Sequence, residues 1–173
     1  MTVQLIVKRS LLGLLCALWL FSCDERRVYE KNIDLPGNVW HKDSILNFSF
    51  NIADAQQQYN IYYNIRNARS YGAQNLYLQV ELTDSLGNVL SSDLNNIDLF
   101  NSKTGEPLGS GMDVIDYQVP VFKAYQFPKP GRYAIGLQHK MRNEAGGQPI
   151  AEEGKLMDIV AMGIRVEKTA QED

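Results

Sequence analysis

Apolar and polar residues alternate one for one from Leu46 to Ile52, so that Leu46, Phe48, Phe50 and Ile52 share one face and Asn47, Ser49 and Asn51 the other. A period of two sends successive side chains to opposite faces, and the stretch predicts a half-buried β-strand. The same period runs through residues 61–66, with tyrosines on both faces, and through 75–82, where Leu76, Leu78, Val80 and Leu82 point inward. Asp84-Ser85-Leu86-Gly87-Asn88 then supplies a turn into a short strand around Val89 and Leu90, a hairpin signal. From Ser91 to Gly111 the pattern fades. Asp93, Asn95, Asn96, Asp98, Gly105, Pro107, Gly109 and Gly111 predict loop, with one strand at 97–100. Residues 116–127 hold Val119, Val121 and Phe122 broken by Pro120, which suits an edge strand.

Phe127-Pro128-Lys129-Pro130-Gly131-Arg132-Tyr133 predicts a tight turn into a long strand that carries Tyr133, Ile135, Leu137, His139 and Met141 on one face. A Gly146-Gly147 loop with Glu152-Glu153 follows, and 158–168 closes the chain with Val160, Met162, Ile164 and Val166 alternating with Ala161, Gly163, Arg165 and Glu167. Seven or eight short strands without a sustained helical period predict an all-β fold, an antiparallel β-sandwich, with a closed β-barrel as the alternative. Alternation leaves one face of each sheet wet, which favours two packed sheets.

The start of the chain is patterned differently. Lys8-Arg9 lead into an unbroken apolar run from Leu11 to Phe21 that stops at Ser22-Cys23, the order of a secretory signal peptide. As a helix the run would cover about 16 Å at ~1.5 Å per residue, half of a hydrocarbon core of about 30 Å. Leu20-Phe21-Ser22-Cys23 resembles a bacterial lipobox, with Leu20 three before the cysteine and the small Ser22 directly before it, although Phe21 is bulkier than the usual occupant. On this reading the Cys23 thiol takes the diacylglycerol, cleavage makes Cys23 the new N-terminus, and its amine is then acylated. Two or three fatty chains form an essentially permanent anchor, because each buried methylene contributes roughly 0.8 kcal/mol. An ordinary cleaved signal peptide or an uncleaved anchoring helix are the alternatives. The division is then a lipoprotein signal peptide at 1–22, a lipidated N-terminus and tether at 23–40, a β-sandwich at 41–168 and a tail at 169–173. The six charges between Asp24 and Lys31 read as the solvated tether, Pro36-Gly37 as a turn, and Trp40 as the first core or docking residue.

Removing the leader shortens the chain from 173 to 151 residues, takes Lys8 and Arg9 with it, and moves the formal charge from −3 to −5. That length supports one domain with its own core, and the acidic balance argues against nucleic acid and anionic headgroups as partners. Of the two cysteines, Cys16 falls in the leader and Cys23 at the processing site, so no disulfide, thiol nucleophile or cysteine metal site is expected.

Candidate chemistry is sparse. His41 and His139 are the two histidines, and no carboxylates stand at matched spacing for a metal site. His139 falls on an apolar strand face and reads as a core or rim residue, whereas His41 reads as surface. Asp113 and Asp116 follow a glycine-rich stretch, but their spacing is that of a turn and not of an EF-hand. Gly109-Ser110-Gly111 lacks the Gly-x-Ser-x-Gly spacing of a nucleophile elbow, and the stretch opens no helix that could bind phosphate. Tyr59, Tyr62, Tyr63, Tyr71 and Tyr77 crowd the first half; outward, they would form a platform for sugars or a protein, and inward they would serve cross-strand packing, the favoured reading. No catalytic residue, cofactor or small-molecule substrate is expected.

The order of motifs resembles the GldH family of gliding-motility lipoproteins from Bacteroidota. It is carried by Cys23, by Trp40 ahead of Phe48-Phe50, by Tyr59-Asn60-Ile61 with Arg66-Asn67 and Tyr71 before Asn75-Leu76, and by Gly109-Ser110-Gly111. Pro130-Gly131-Arg132-Tyr133, Gln138, Met141-Arg142 and Gly163-Ile164-Arg165-Val166-Glu167 continue it. The resemblance implies a non-enzymatic lipoprotein of the outer membrane, palmitoylated at its anchor, working with other gliding-motility proteins and with type IX secretion. Asp24-Glu25 resembles the export signal of surface-exposed lipoproteins, interrupted by Arg26-Arg27, and both the periplasmic face and the cell surface stay open. Three functions compete: an anchored protein-interaction module, which the lipobox and the resemblance favour; a glycan- or peptidoglycan-binding lipoprotein, suggested by the sandwich and its tyrosines; and an enzyme, which would need a paired acid and base in a cleft.

Overall fold

The computed structural model describes residues 24–142, 151–152 and 154–170. The expectations for Lys8, Arg9, Leu20, Ser22 and Cys23, the Gly146-Gly147 loop and residues 171–173 lie outside the described residues. The chain forms β1 (Arg27–Asp34), a 3-10 turn at Pro36–Asn38, β2 (Val39–His41), β3 (Leu46–Ile52), β4 (Gln58–Ala68), β5 (Asn75–Asp84) and β6 (Val89–Asp98). It continues with β7 (Val114–Gln126), β8 (Gly131–His139), β9 (Ala151–Glu152), β10 (Lys155–Met157) and β11 (Ile159–Lys168).

Two antiparallel four-stranded sheets, ordered β1-β11-β4-β7 and β3-β8-β5-β6, make a sandwich, and a small β2-β10-β9 sheet caps one end. The expected sandwich is therefore the fold, with eight strands in its two main sheets. Closed-barrel geometry is not adopted, because each sheet terminates in free edges, β1 and β7 in one and β3 and β6 in the other.

The core follows the alternation. Phe48, Phe50 and Ile52 of β3, Ile61, Tyr63 and Ile65 of β4, Leu76, Leu78, Val80 and Leu82 of β5 and Met162, Ile164 and Val166 of β11 are all buried. At one end an aromatic cluster ties the sheets together: Phe127, in the β7–β8 turn, packs on Tyr133 at 4.5 Å, Tyr125 at 4.8 Å and Tyr59 at 5.5 Å. Trp40 is sealed at the other end and donates its indole N–H to the Ser44 carbonyl at 2.9 Å, so its expected core role holds.

Two expectations change. The segment read as a charged tether is in large part β1, paired with β11 from Arg27 opposite Glu167 to Asp34 opposite Ala161, so the folded domain begins well before residue 41. Its charged residues masked the half-buried Tyr29 and Ile33, which alternate with Glu30 and Asn32; Tyr29 packs on Phe50 at 5.6 Å. Residues 91–96, read as loop, lie within β6, an edge strand whose partner β5 supplies the pairing that its own polar sequence does not advertise. The favoured packing reading of the tyrosines holds for Tyr59, Tyr63 and Tyr71, which are in the core, while Tyr62 and Tyr77 face outward from different sheets and form no common platform. The edge placement of the Pro120 strand holds, since β7 ends its sheet beside β4 and its outer side carries a single bridge, from Ser110 to Asp116.

Candidate functional site

With the interior filled by apolar and aromatic side chains, fixed polar groups gather on the outer face of the β1-β11-β4-β7 sheet. Antiparallel pairing sets them in three transverse rows, each crossing all four strands: Asp34, Ala161, Arg66, Asp116; Asn32, Gly163, Asn64, Gln118; and Glu30, Arg165, Tyr62, Pro120. The small Ala161 of β11 floors a depression of about 390 Å3 between the taller side chains of β1, β4 and β7. Gly163 is fixed by close approach, because a β-carbon there would strike the Asn32 side chain and approach the Lys31 carbonyl to 2.7 Å.

The rows are hydrogen-bonded into one surface. Gln118 donates to Asn64 Oδ1 at 3.3 Å, and Asn64 in turn donates to Glu30 at 2.9 Å and to Asn32 at 3.3 Å. Arg66 binds Asp116 at 2.6 Å, an exposed pair that contributes at most about 1 kcal/mol but fixes both side chains at the depression's rim. Below them Arg165 contacts Asp24, Glu30 at 3.1 Å and Glu167 at 3.0 Å. Burial works against the Glu30 carboxylate, but hydrogen bonds from Arg27 and Asn64 and the Arg165 charge outweigh it and hold its carboxyl below the usual range. The Arg165 hydrogen bond does the same for Asp24. Tyr62 is pushed up by burial and by a hydrogen bond to Glu167. Glu30 is thus an ionised acceptor rather than a proton donor.

Asn60 serves the edge. Where β7 bulges between Tyr125 and Phe122, Ala124 adopts φ 50°, and its amide donates to Asn60 Oδ1 at 3.0 Å. Gly109-Ser110-Gly111 is a strap on the same strand, with Ser110 and Asp116 exchanging backbone hydrogen bonds at 3.0 and 2.8 Å. Gly111 sits at φ 134° against the Val114 carbonyl, where no side chain fits. Asp116, read as part of a turn, lies in β7 and is held by Arg66, while the Asp113 carbonyl accepts the Arg69 amide at 2.9 Å. His139 is buried edge-on to Trp40 at 5.4 Å, and His41 is exposed, both as expected.

The sequence reading did not assemble the depression's lining. Asn32 and Glu30 lay in the supposed tether, and Asn64 and Gln118 were the polar half of strands read for their apolar half. The outward residues of the motifs that carried the family resemblance, Asn60, Arg66, Gly163, Arg165 and Glu167, nevertheless converge on this one face.

Fold and face define an all-β module that displays an ordered polar surface on one sheet around a closed core. The family model described as GldH lipoprotein matches residues 27–166. The chain is 34% identical over 149 residues to a gliding motility lipoprotein GldH homolog of Christiangramia forsetii, covering 86% of this chain and 88% of that one. It is 30% identical over 167 residues to gliding motility lipoprotein GldH of Flavobacterium johnsoniae, covering 94% and 98%. The chain belongs to the GldH lipoprotein family, as the order of its motifs implied. Among solved structures, that of infectious bursal disease virus Gx strain matches with a TM-score of 0.41 and 17% identity, over 84% of this chain and 32% of the viral one.

Proposed function

We propose that this chain is a gliding-motility lipoprotein, fixed to the envelope through lipidated Cys23, that acts without catalysis by docking an envelope protein on the outer face of its β1-β11-β4-β7 sheet. The observation that carries the reading is the set of three cross-sheet polar rows, held rigid by hydrogen bonds and lying where the outward motif residues meet. A pre-ordered polar face loses little side-chain entropy on association, which favours a specific contact. Glu30 and Asp116 are each already held by arginine, an arrangement suited to recognition rather than to proton transfer. The partner belongs to the gliding machinery or the associated type IX secretion apparatus, and the membrane is the outer one.

The test replaces Asn64 and Gln118 together by alanine in the chromosomal copy. Colony spreading and crosslinked recovery of an envelope partner are expected to fall while lipoprotein level stays unchanged; normal spreading and secretion would sink the reading. A second reading, glycan or peptidoglycan binding, is favoured by the amides and carboxylates that line the depression, groups that pair with sugar hydroxyls. Retention of the domain on isolated cell wall, lost in the same double variant, would promote it.

A further inference from the structure

The first described residue is already part of the domain. The Asp24 carboxylate binds Arg165, its carbonyl accepts the Arg27 amide at 3.1 Å, and the Arg26 carbonyl accepts the Lys168 amide at 2.8 Å. Arg165 is itself only 16% exposed and is braced by Glu30 and Glu167, so the chain is clasped to the sheet at Asp24 and not several residues later. Cys23 is the next residue back, one peptide unit or about 3.8 Å from Asp24 between Cα atoms.

Register identifies which end of the sandwich this is. Lys168 lies opposite Tyr59, Gln58 opposite Gln126, Ile52 opposite Gly131 and Asp84 opposite Tyr133, so the β3–β4, β5–β6 and β7–β8 turns share the pole where β1 begins. Gln57, in the first of these turns, reaches Thr169 at 3.2 Å. At the tip of the second, Leu86 is 77% exposed. Arg26, Lys129, Arg132 and Lys168 are exposed around the same pole beside the acidic Glu25, Asp54 and Asp84, so this end is locally more basic than the acidic chain as a whole. The opposite pole carries Met112, 83% exposed, beyond the far end of β4, whose eleven residues span roughly 36 Å at about 3.3 Å each.

We infer that the domain is seated directly on the bilayer by this turn pole, with no free linker between the acylated cysteine and the fold. Leu86 enters the headgroup boundary, the basic side chains lie over the lipid phosphates, and the polar rows stand as a wall roughly perpendicular to the membrane. The inference rests on the reading of Cys23 as the lipid attachment residue.

The experiment uses the full chain, processed in a lipidating host and reconstituted in vesicles of phosphatidylethanolamine and phosphatidylglycerol. Leu86→Cys or Met112→Cys receives an environment-sensitive fluorophore, and lipid-borne nitroxide quenches it. Quenching several-fold stronger at 86 than at 112 is expected, falling toward the value at 112 when ten Gly/Ser residues are inserted directly after Cys23. Equal quenching at the two positions, or quenching at 86 that is indifferent to the insertion, overturns the inference. Intact mass separates the two layers: a Cys23 without fatty chains removes the anchor reading and the seating with it, whereas a lipidated chain with equal quenching removes only the seating.

Discussion

The side-chain oxygen of Asn32 occupies the place where a β-carbon on Gly163 would stand, one strand away on β11. The polar face is therefore packed from below, and its middle row depends on the absence of a side chain at one position. Gly163→Ala is expected to destabilise the fold by about 1–3 kcal/mol, the usual cost of an overpacked site. Adding Asn32→Ala recovers part of the loss but not all, because the Lys31 carbonyl also crowds the site at 2.7 Å. Urea unfolding of the two single variants and the double variant measures both effects.

Arg165→Gln leaves Glu30 and the mostly buried Glu167 without their shared cation. A loss of about 2 kcal/mol at neutral pH is expected, less than for a fully buried pair. The Asp24 and Glu30 carboxyls lie below their ordinary values of 3.8 and 4.5, so their stabilisation is fully present above those values and is lost as pH falls through the lowered ones. The difference between wild type and variant is accordingly expected to narrow as urea midpoints are followed from pH 7 to pH 3.

Tyr63 is buried in β4 with no hydrogen-bond partner for its hydroxyl among the described residues, and burial pushes the phenol strongly up. Tyr63→Phe removes an unpaired polar group and keeps the ring. A gain of about 1 kcal/mol is expected, equivalent to about 3 °C in thermal midpoint for a domain of this size. A lower midpoint in calorimetry would show that the hydroxyl is needed.

His139 is sealed beside Trp40, and burial, working against backbone hydrogen bonds at Trp40 and Gly154, pushes its imidazole below the ordinary value of 6.5. The unfolded chain takes up the proton first, so the stability associated with neutral His139 is complete above pH 6.5 and declines as pH falls from there toward the lowered value. His139→Leu is expected to flatten this segment of the stability profile between pH 7 and pH 5. An unchanged slope in denaturant titrations would assign the acid sensitivity elsewhere.

The fold was legible wherever apolar residues alternated with polar ones. The strand predicted at 46–52 is β3, and those around 61–66, 75–82 and 158–168 lie within β4, β5 and β11. Legibility failed at β1 and along most of β6, where strand structure comes from pairing with a neighbour and not from an apolar stripe. The candidate face was harder still. Its members are adjacent only after three registers align, so Asn32, Asn64 and Gln118 share no spacing in sequence. Only the outward halves of the motifs near Arg66 and Gly163 pointed toward it.

The proline and the Asn60-capped bulge in β7 acquire a further meaning for a molecule confined to two dimensions. Tethered copies meet far more often than they would in free solution, and an unguarded strand would recruit the matching strand of a neighbour into a growing ribbon. Pro120 offers no amide to such a neighbour, and the kink at Ala124 spoils a straight approach. Crowding on a surface can then proceed without strand-to-strand polymerisation.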